Sequence, residues 1–488
     1  MKKFLFNTLI LTGTSFFLQF SWLVFNIYIS QRAGAASMGL YQLVMSVYRF
    51  AVTFAISGIG LTATKAVAEE KARGGNVCGV MRRCLLYAFC FGFAAQILML
   101  CFGDFIGTHF LRDSRTALSL KIIGVSLPYL SMSACIDGYF TAESRISQFA
   151  FCQISELVIR MAATVFLLEA VFVPTAENTC IAITSGGCAG EIISFIISVV
   201  LYAKDRKCTG KTRKTGAKVV RTALPLAVSS YVRSGLSSAE HMLIPPGLEK
   251  YGMSRREALE KYGIVHGMAM PVIMFASAFL YSAASLIVPE LSACAAKKDM
   301  CRINRIVTKN FRFTMIFSAY ASAVMLVFGD LISLTVYKSL DISLYIKLLA
   351  PLAAVMYLDS SVDGMLKGLN EQVKSMEYNI IDSAVSLVLV CILIPHLGIG
   401  GYMIVIFISE ILNASLSIMR LIKITDFKTD LMNNVILPVM CAAISVFAAK
   451  ITLPVSAGYV GLIVVIAVSA LFYFALISLT IPQDRKAD

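Results

Sequence analysis

The fold of this chain is decided by residues 204–221, KDRKCTGKTRKTGAKVVR. Eight of these side chains are Lys or Arg and only Asp205 is acidic, while long apolar segments lie on both sides. Lys and Arg resist transfer across a membrane, so a basic run between apolar segments is typical of a loop kept on the cytoplasmic side. The local chemistry of this basic stretch is that of a solvated linker. Its position in the sequence divides the chain into two similar halves.

The chain as a whole is strongly apolar. Of its 488 residues, 58% are hydrophobic and 15% are charged. A soluble domain could not bury that much apolar surface, so the composition indicates a polytopic membrane protein. The net charge of +14 is spread over short loops between apolar runs rather than gathered on one face. This distribution argues against a nucleic-acid partner.

Membrane-spanning helices need about 20 predominantly apolar residues. We predict an all-α membrane protein with fourteen spans, at residues 5–30, 38–64, 83–106, 117–139, 146–170, 180–203, 222–244, 263–287, 312–333, 346–367, 376–396, 400–422, 433–452 and 457–481. The first is a span rather than a signal peptide, because its uncharged run from Phe4 to Gln31 exceeds a signal core of roughly 7–15 residues.

The distribution of basic residues supports this count. With the N-terminus in the cytoplasm, 29 of the 43 Lys and Arg residues fall in cytoplasmic segments and 10 in outer segments. Such a bias is expected for an even number of spans. We therefore predict a multi-pass protein of the cytoplasmic membrane with both termini in the cytoplasm.

The two halves carry matching motifs in the same order. Asp-Gly at 137–138 recurs as Asp-Gly at 363–364, an offset of 226, and Gly-Leu-Tyr-Gln at 39–42 corresponds to Gly-Ile-Val-His at 263–266. Parallel six-helix repeats are related by an axis along the membrane normal and enclose a substrate path. The predicted domains are a six-helix lobe at 1–203, a basic linker at 204–221, a second six-helix lobe at 222–425, and two further helices with a short tail at 426–488.

Charged residues inside spans are candidates for function. A charge there costs roughly 2.5–3.5 kcal/mol and usually faces the bundle interior or a wet cavity. Arg49 and Arg233 could present bidentate donors to a phosphate, or each could pair with a buried carboxylate such as Glu240 or Glu191. Asp359 has no obvious local partner, so we group it with the two arginines as a substrate-binding candidate.

Other polar residues in spans allow two interpretations. Glu156 and Arg160 are four apart, and a structural ion pair is the favoured reading. Asn379 and Asp382, with Glu240, could supply oxygen ligands to a cation, or each could bond a neighbouring helix. We find no phosphate-binding loop, zinc motif or Ser/His/Asp arrangement, so we expect neither an enzyme nor ATP hydrolysis.

Several motifs carry a family resemblance across nearly the whole chain. They are Gly39-Leu-Tyr-Gln-Leu, Lys65-Ala-Val-Ala-Glu-Glu70, Ile244-Pro-Pro-Gly-Leu-Glu, Tyr262-Gly-Ile-Val-His-Gly-Met-Ala-Met-Pro271 and Val288-Pro-Glu290. Together they resemble the stage V sporulation protein B group of the multidrug/oligosaccharidyl-lipid/polysaccharide exporter superfamily. The resemblance implies a two-lobed flippase of undecaprenyl-pyrophosphate-linked sugars, with lipid II flippases as relatives.

The resemblance also carries expectations for particular residues. Cavity arginines of those relatives contact the lipid headgroup, and Arg49 falls where one of them lies on the second helix. This chain has no arginine in its first or eighth predicted helix, which departs from that pattern. Some relatives bind sodium between helices 7, 11 and 12, and Glu240, Asn379 and Asp382 fall near those positions.

We therefore expect a flippase for a lipid-linked oligosaccharide or peptidoglycan precursor, with a role in cell-wall or spore-cortex synthesis. The pyrophosphate of the substrate would bind to Arg49 and Arg233. Membrane potential or an H⁺ or Na⁺ gradient would drive transport, and no other cofactor is expected. Membrane lipids and cell-wall synthesis proteins are the expected partners.

Three alternatives remain. A cation-coupled multidrug antiporter would depend on Asp359 or Glu156 rather than Arg49. A glycosyltransferase would need a large outer loop, and a non-transporting scaffold would tolerate cavity mutations.

Overall fold

The computed structural model describes residues 2–72, 75–173, 175–206, 216–425, 427, 430–452 and 458–480. Over these ranges the chain forms helices and turns and contains no β-strand. Most of the basic stretch that divides the sequence, residues 207–215, lies outside the described residues.

Fifteen α-helices occur in the described part of the chain. Their bounds are α1 Lys2–Ile56, α2 Ile59–Ala72, α3 Val77–Phe105, α4 Thr116–Val125, α5 Leu127–Ala142, α6 Ile146–Phe166, α7 Ala176–Asp205, α8 Gly216–Tyr251, α9 Arg255–Tyr262, α10 Met270–Ala296, α11 Met300–Tyr337, α12 Ser343–Gly368, α13 Gln372–Thr425, α14 Leu437–Thr452 and α15 Tyr459–Thr480. Short π-helical turns extend α3 and α6 and precede α10 and α14, at Ile106–Phe110, Leu167–Val171, Gly263–Ala269 and Met432–Ile436.

Two of these helices are far longer than one membrane pass. α1 has 55 residues and α13 has 54, roughly 80 Å each at 1.5 Å per residue, against a hydrocarbon core of about 30 Å. Each leaves the helical conformation at one glycine: Gly34 has φ 79° and ψ 170°, and Gly398 has φ 57° and ψ −133°. Glycine adopts such backbone angles without a steric penalty. Each helix therefore supplies two of the predicted spans, and the breaks fall at the predicted span boundaries.

The remaining spans agree with the prediction. Eight of the described helices are long and apolar enough to cross a membrane, and α4 with α5, bent by 41°, is together long and apolar enough for one further span. With α1 and α13 each counted twice, and with α6, α8 and α10 added, the described helices provide fourteen passes. The predicted all-α polytopic architecture is confirmed.

The segment between the seventh and eighth predicted spans, at about 245–262, forms a helical hairpin. In the structure α8 continues to Tyr251, and α9 then adds two turns. The Ser254 side chain accepts from the Glu257 backbone N–H while the Glu257 carboxylate accepts from the Ser254 N–H, which is a capping box. The hairpin is thus helical on both sides.

The described residues divide into two compact units. The first takes in those of Met1–Phe25, Arg32–Gly263 and Val390–Pro395, and the second those of Asn26–Gln31, Ile264–Leu389 and His396–Asp488. The predicted lobes were defined by the sequence repeat instead of by contacts. Their boundaries at the basic linker therefore stay a prediction.

Each unit has its own apolar core. In the first unit, α2, α3, α5 and α7 bury a cluster that includes Met81 and Phe140. In the second, α10, α11 and α12 bury another around Val307 and Val362. The last two helices dock on α11 of the same unit, where Tyr320 stacks on Tyr473 with ring centroids 5.2 Å apart.

Candidate functional site

A buried ionic cluster lies in the first unit where α1, α6 and α7 meet. Arg160 donates to Glu156 at 2.5 Å and approaches Glu191 at 3.3 Å. The Tyr48 hydroxyl lies 2.8 and 2.9 Å from the two carboxylate oxygens of Glu191, and 3.3 Å from the Ser126 hydroxyl. The Glu191 side chain is only 5% exposed. In this cluster one guanidinium therefore faces two carboxylates, and the three groups are largely shielded from solvent.

Glycines on one face of α7 make this contact with α6 possible. A Cβ on Gly186 would lie 2.9 Å from the Arg160 carbonyl oxygen, and one on Gly190 would lie 2.9 Å from the Glu156 carbonyl oxygen. Small residues at this spacing let the backbones of two membrane helices approach closely. Charge spacing alone does not point to Glu191 as the partner of Arg160, and the Gly186-x-x-x-Gly190 spacing indicates only which face of α7 packs closely on a neighbouring helix.

The predicted ion pair between Glu156 and Arg160 is confirmed, as one part of this larger cluster. The alternative that Arg49 or Arg233 pairs with Glu191 is not what the structure shows, since Glu191 is bound by Arg160 and Tyr48. Neither Arg49 nor Arg233 therefore forms an ion pair within this cluster.

Arg49 and Arg233 lie on neighbouring helices of the first unit. Beyond its break, α1 runs beside α8, where the Thr53 hydroxyl donates to the Ser234 hydroxyl at 3.0 Å and Ser234 approaches the Arg49 carbonyl oxygen at 3.5 Å. Both arginine side chains are exposed. The repeat places the two residues in different halves of the sequence, but the contact grouping places both in one unit.

Arg49 also borders the polar interior of the first unit. Arg49 and Glu240 both act electrostatically on Tyr262, which is fully buried at the end of α9 with its hydroxyl 3.4 Å from His241 Nδ1. Arg49 acts likewise on Tyr41, which the charges of the ionic cluster also reach. The Arg49 side chain is thus exposed, and its charge acts on two buried tyrosines, Tyr41 and Tyr262.

Asp359 belongs to the second unit and has no compensating charge beside it among the described residues. Its Oδ2 accepts from the Asn413 amide at 2.9 Å, and its buried Oδ1 has no hydrogen-bond partner among the described residues. The charges that act on it are those of Asp363 and Asp382, both acidic. A buried carboxylate in this environment is suited to hold a proton or a monovalent cation.

The three residues proposed to bind an ion are divided between the units. Asn379 and Asp382 lie one turn apart on α13 in the second unit, and Glu240 lies in the first. The Asn379 amide donates to the Ser375 carbonyl oxygen at 2.7 Å, and Asp382 accepts from the Ser409 hydroxyl at 2.6 Å. Across the described ranges, no group of three or more His, Cys, Asp or Glu residues is arranged to hold a metal ion.

Known proteins resemble this chain both in sequence and in fold. Residues 4–240 match the family described as polysaccharide biosynthesis protein. Over 414 residues the chain is 24% identical to stage V sporulation protein B of Bacillus subtilis (strain 168), covering 82% of this chain and 80% of that protein. The fold matches that of the lipid II flippase MurJ in an inward closed conformation, with a TM-score of 0.75 and 12% identity over 96% of this chain and 98% of the other. The chain is thus similar to stage V sporulation protein B over most of its length, and it has the fold of solved transporters of the multidrug/oligosaccharidyl-lipid/polysaccharide (MOP) superfamily.

Another solved member of this superfamily has the same fold. An inward-facing multidrug resistance MATE transporter matches with a TM-score of 0.69 and 12% identity, over 84% of this chain and 96% of the other. The predicted two-lobed, fourteen-helix fold class is therefore that of the MOP superfamily. At this level of identity the structural matches bear on the fold alone, so the roles of the six candidate residues stay predictions.

Proposed function

We propose that this protein is a flippase that moves a lipid-linked oligosaccharide or peptidoglycan precursor across the cytoplasmic membrane. The observation that carries the proposal is the similarity to stage V sporulation protein B over 82% of the chain. The fold supports it, since a lipid II flippase matches over 96% of the chain. The expected orientation has both termini in the cytoplasm, because Lys and Arg concentrate in the segments that this orientation puts inside.

The headgroup is held by Arg49 and Arg233 in this proposal. A guanidinium stays charged at all physiological pH values and presents planar paired donors that match phosphate oxygens. Two exposed arginines on adjacent helices suit an undecaprenyl-linked pyrophosphate, which carries negative charge on two neighbouring phosphates. The polyprenyl tail stays in lipid while the protein alternates between inward-open and outward-open states.

A cation gradient or the membrane potential drives the cycle in this proposal. Asp359 is a buried acid whose electrostatic neighbours are also acids, and it is suited to take up H⁺ or Na⁺. Asn379 and Asp382, one turn apart on α13 of the second unit, remain a second place for the same ion. Asp382 links the two sets, because it acts on Asp359.

The experiment is a translocation assay in proteoliposomes. Purified wild-type protein is reconstituted with a fluorescent undecaprenyl-pyrophosphate-linked saccharide, and the pool accessible to an impermeant quencher is followed in time. Movement faster than in protein-free vesicles supports the flippase. Absence of movement for both short and long saccharides, with correctly folded protein, contradicts it.

A cation-coupled multidrug antiporter is the second candidate, and the uncompensated charge of Asp359 is the observation that favours it. The same vesicles separate the two functions when they are loaded with a cationic dye under a pH or sodium gradient. Dye efflux that Asp359→Asn abolishes and Arg49→Gln leaves intact, without saccharide movement, would establish the antiporter. Saccharide movement without dye efflux would exclude it.

A further inference from the structure

The second unit contains a basic cavity between the end of α10 and the start of α11. Its volume is about 770 Å³. It is lined by Ile287, Glu290, Asp299, Cys301, Arg302, Arg305, Ile306, Lys309, Asn310 and Phe313. Residues 302, 305, 309 and 313 fall within one narrow stripe of α11, because a residue advances about 100° around the helix axis. Three cations and one aromatic ring therefore line one wall.

Two of the three cations of this wall are not neutralised by the acids beside them. Asp299 caps α11, accepting from the backbone N–H of Arg302 at 3.1 Å, and Glu290 pairs with the Arg302 guanidinium at 2.9 Å. Arg305 and Lys309 are exposed, and neither has an acidic partner within 4 Å in the described part of the chain. Two cationic groups are therefore available to a ligand in the cavity.

The cavity lies where α11 changes from charged to apolar. α11 has 38 residues, roughly 57 Å at 1.5 Å per residue, so its ends extend beyond a hydrocarbon core of about 30 Å. Residues 313–329 carry no charge, and the cationic stripe ends just before them. The cations thus stand at the level of lipid headgroups, in line with the start of the apolar segment.

Exposed aromatic side chains continue the same surface along the apolar segment. Phe313 lines the cavity, and its ring centroid lies 6.0 Å from that of Phe279 on α10. Their exposed fractions are 40% and 47%. A soluble anion would use the cationic wall alone. A lipid would use both parts, with its phosphate on the cations and its acyl chain along the aromatic side chains.

We propose that this cavity binds the phosphate of an anionic phospholipid, held by Arg305 and Lys309, with an acyl chain against Phe313 and Phe279. Basic pockets between spanning helices on the cytoplasmic side are suited to such headgroups. The ligand is a lipid of the surrounding bilayer rather than the transported precursor. The inference therefore does not rest on the flippase activity, and it holds or fails separately.

The test measures lipid retention. The full-length protein is purified in neutral detergent, incubated with phosphatidylglycerol, cardiolipin or phosphatidylcholine, and analysed by native mass spectrometry. We expect wild-type protein to bind the two anionic lipids in preference to phosphatidylcholine. Arg305→Gln with Lys309→Gln should weaken anionic lipid binding by about thirtyfold, from the loss of two cations near the headgroups.

A matched control removes the same charge beside the cavity. Lys297→Gln with Lys298→Gln changes two exposed lysines that do not line it, and this variant should bind lipid as the wild type does. Equal unfolding temperatures of all three proteins in neutral detergent show that the variants are folded. Equal anionic-lipid binding by both double variants overturns the proposal. Displacement of the lipid by low-millimolar inorganic phosphate also overturns it, and assigns the cavity to a soluble phosphate instead.

Discussion

At the residue scale, the stability of the first unit depends on how one guanidinium compensates two carboxylates. Arg160 contacts both Glu156 and Glu191, and their side chains are 20%, 26% and 5% exposed. Breaking a buried pair by removing one partner leaves an uncompensated charge, which costs far more than the pair itself contributes. Neutralising Arg160 and neutralising Glu156 therefore have unequal effects on stability.

Arg160→Gln is expected to lower the free energy of unfolding by about 3–5 kcal/mol, because it leaves the buried Glu191 and the partly buried Glu156 without a cation. Glu156→Gln should cost much less, since one carboxylate then faces one guanidinium and the amide oxygen can still accept from Arg160. The measurement is thermal or denaturant unfolding of both variants in the same detergent. Equal losses would contradict the assignment of Arg160 as the compensating charge.

A second residue-scale prediction concerns the loop between α3 and α4. Burial raises the pKa of Asp113, but the hydrogen bonds and charge of Arg115 outweigh burial and hold the pKa below its usual value. Arg255 on α9 lies 3.8 Å from the same carboxylate. A lowered folded-state pKa stabilises the protein above the unfolded pKa of about 3.9, and this contribution is lost as the pH falls through the folded value.

Asp113→Asn should therefore be less stable than the wild type at pH 7, and the difference should shrink as the pH falls below about 4. The measurement is the unfolding temperature of both proteins across this range. A difference that stays constant down to the lowest pH would contradict an ionic role for Asp113.

Ion pairs within one helix can be predicted from the sequence, whereas pairs between helices cannot. Glu156 and Arg160 were found because they are four apart on one helix. Glu191 was considered only as a partner for Arg49 or Arg233, because charge alone does not tell which helices touch. Tyr48 was missed altogether, since a tyrosine in an apolar span gives no signal until its hydroxyl partner is known.

At the element scale, close packing of α6 on α7 brings the ionic cluster together. Gly186 and Gly187 are adjacent on α7, but only Gly186 faces α6: a Cβ there would lie 2.1 Å from the Thr164 hydroxyl oxygen, whereas a Cβ on Gly187 meets nothing within 4 Å. The two positions therefore form a matched pair in which the same substitution tests packing alone.

Gly186→Ala is expected to destabilise the protein by about 1–3 kcal/mol, because the helices must separate to admit the methyl group. Gly187→Ala should be neutral or stabilise it by up to about 1 kcal/mol, since alanine favours a helix interior. Unfolding of both variants in one detergent measures the difference. Similar behaviour of the two would show that the α6–α7 contact is looser than described.

The membrane spans could be predicted from the sequence. Long apolar runs give the spans, and Gly34 and Gly398 lie between predicted ones, at 30–38 and 396–400. The predicted repeat put α8 in the second lobe, whereas contacts group it with the first unit. A sequence repeat reflects the ancestry of the two halves, and hydropathy shows where the spans lie. Neither property determines which helices are in contact in a particular conformation.

At the scale of the whole molecule, the orientation in the membrane is still a prediction from the basic residues. Lys298 and Lys338 flank α11, and both are exposed. Lys298→Cys should be protected from an impermeant maleimide in intact cells and labelled after permeabilisation, whereas Lys338→Cys should be labelled in both, each against the wild-type cysteine background. The reverse pattern would invert the predicted topology.

The flippase proposal depends on an anionic headgroup meeting exposed arginines, so the most direct test is saccharide-lipid translocation by Arg49→Gln in proteoliposomes. Arg256→Gln is the control, because it removes an exposed arginine from α9 of the same unit. Loss of one charged hydrogen-bonding group, about 1.5–3 kcal/mol, predicts a rate roughly tenfold to a hundredfold lower for Arg49→Gln and unchanged for Arg256→Gln. Equal rates for wild type and Arg49→Gln, with both proteins folded, would contradict headgroup recognition by this arginine.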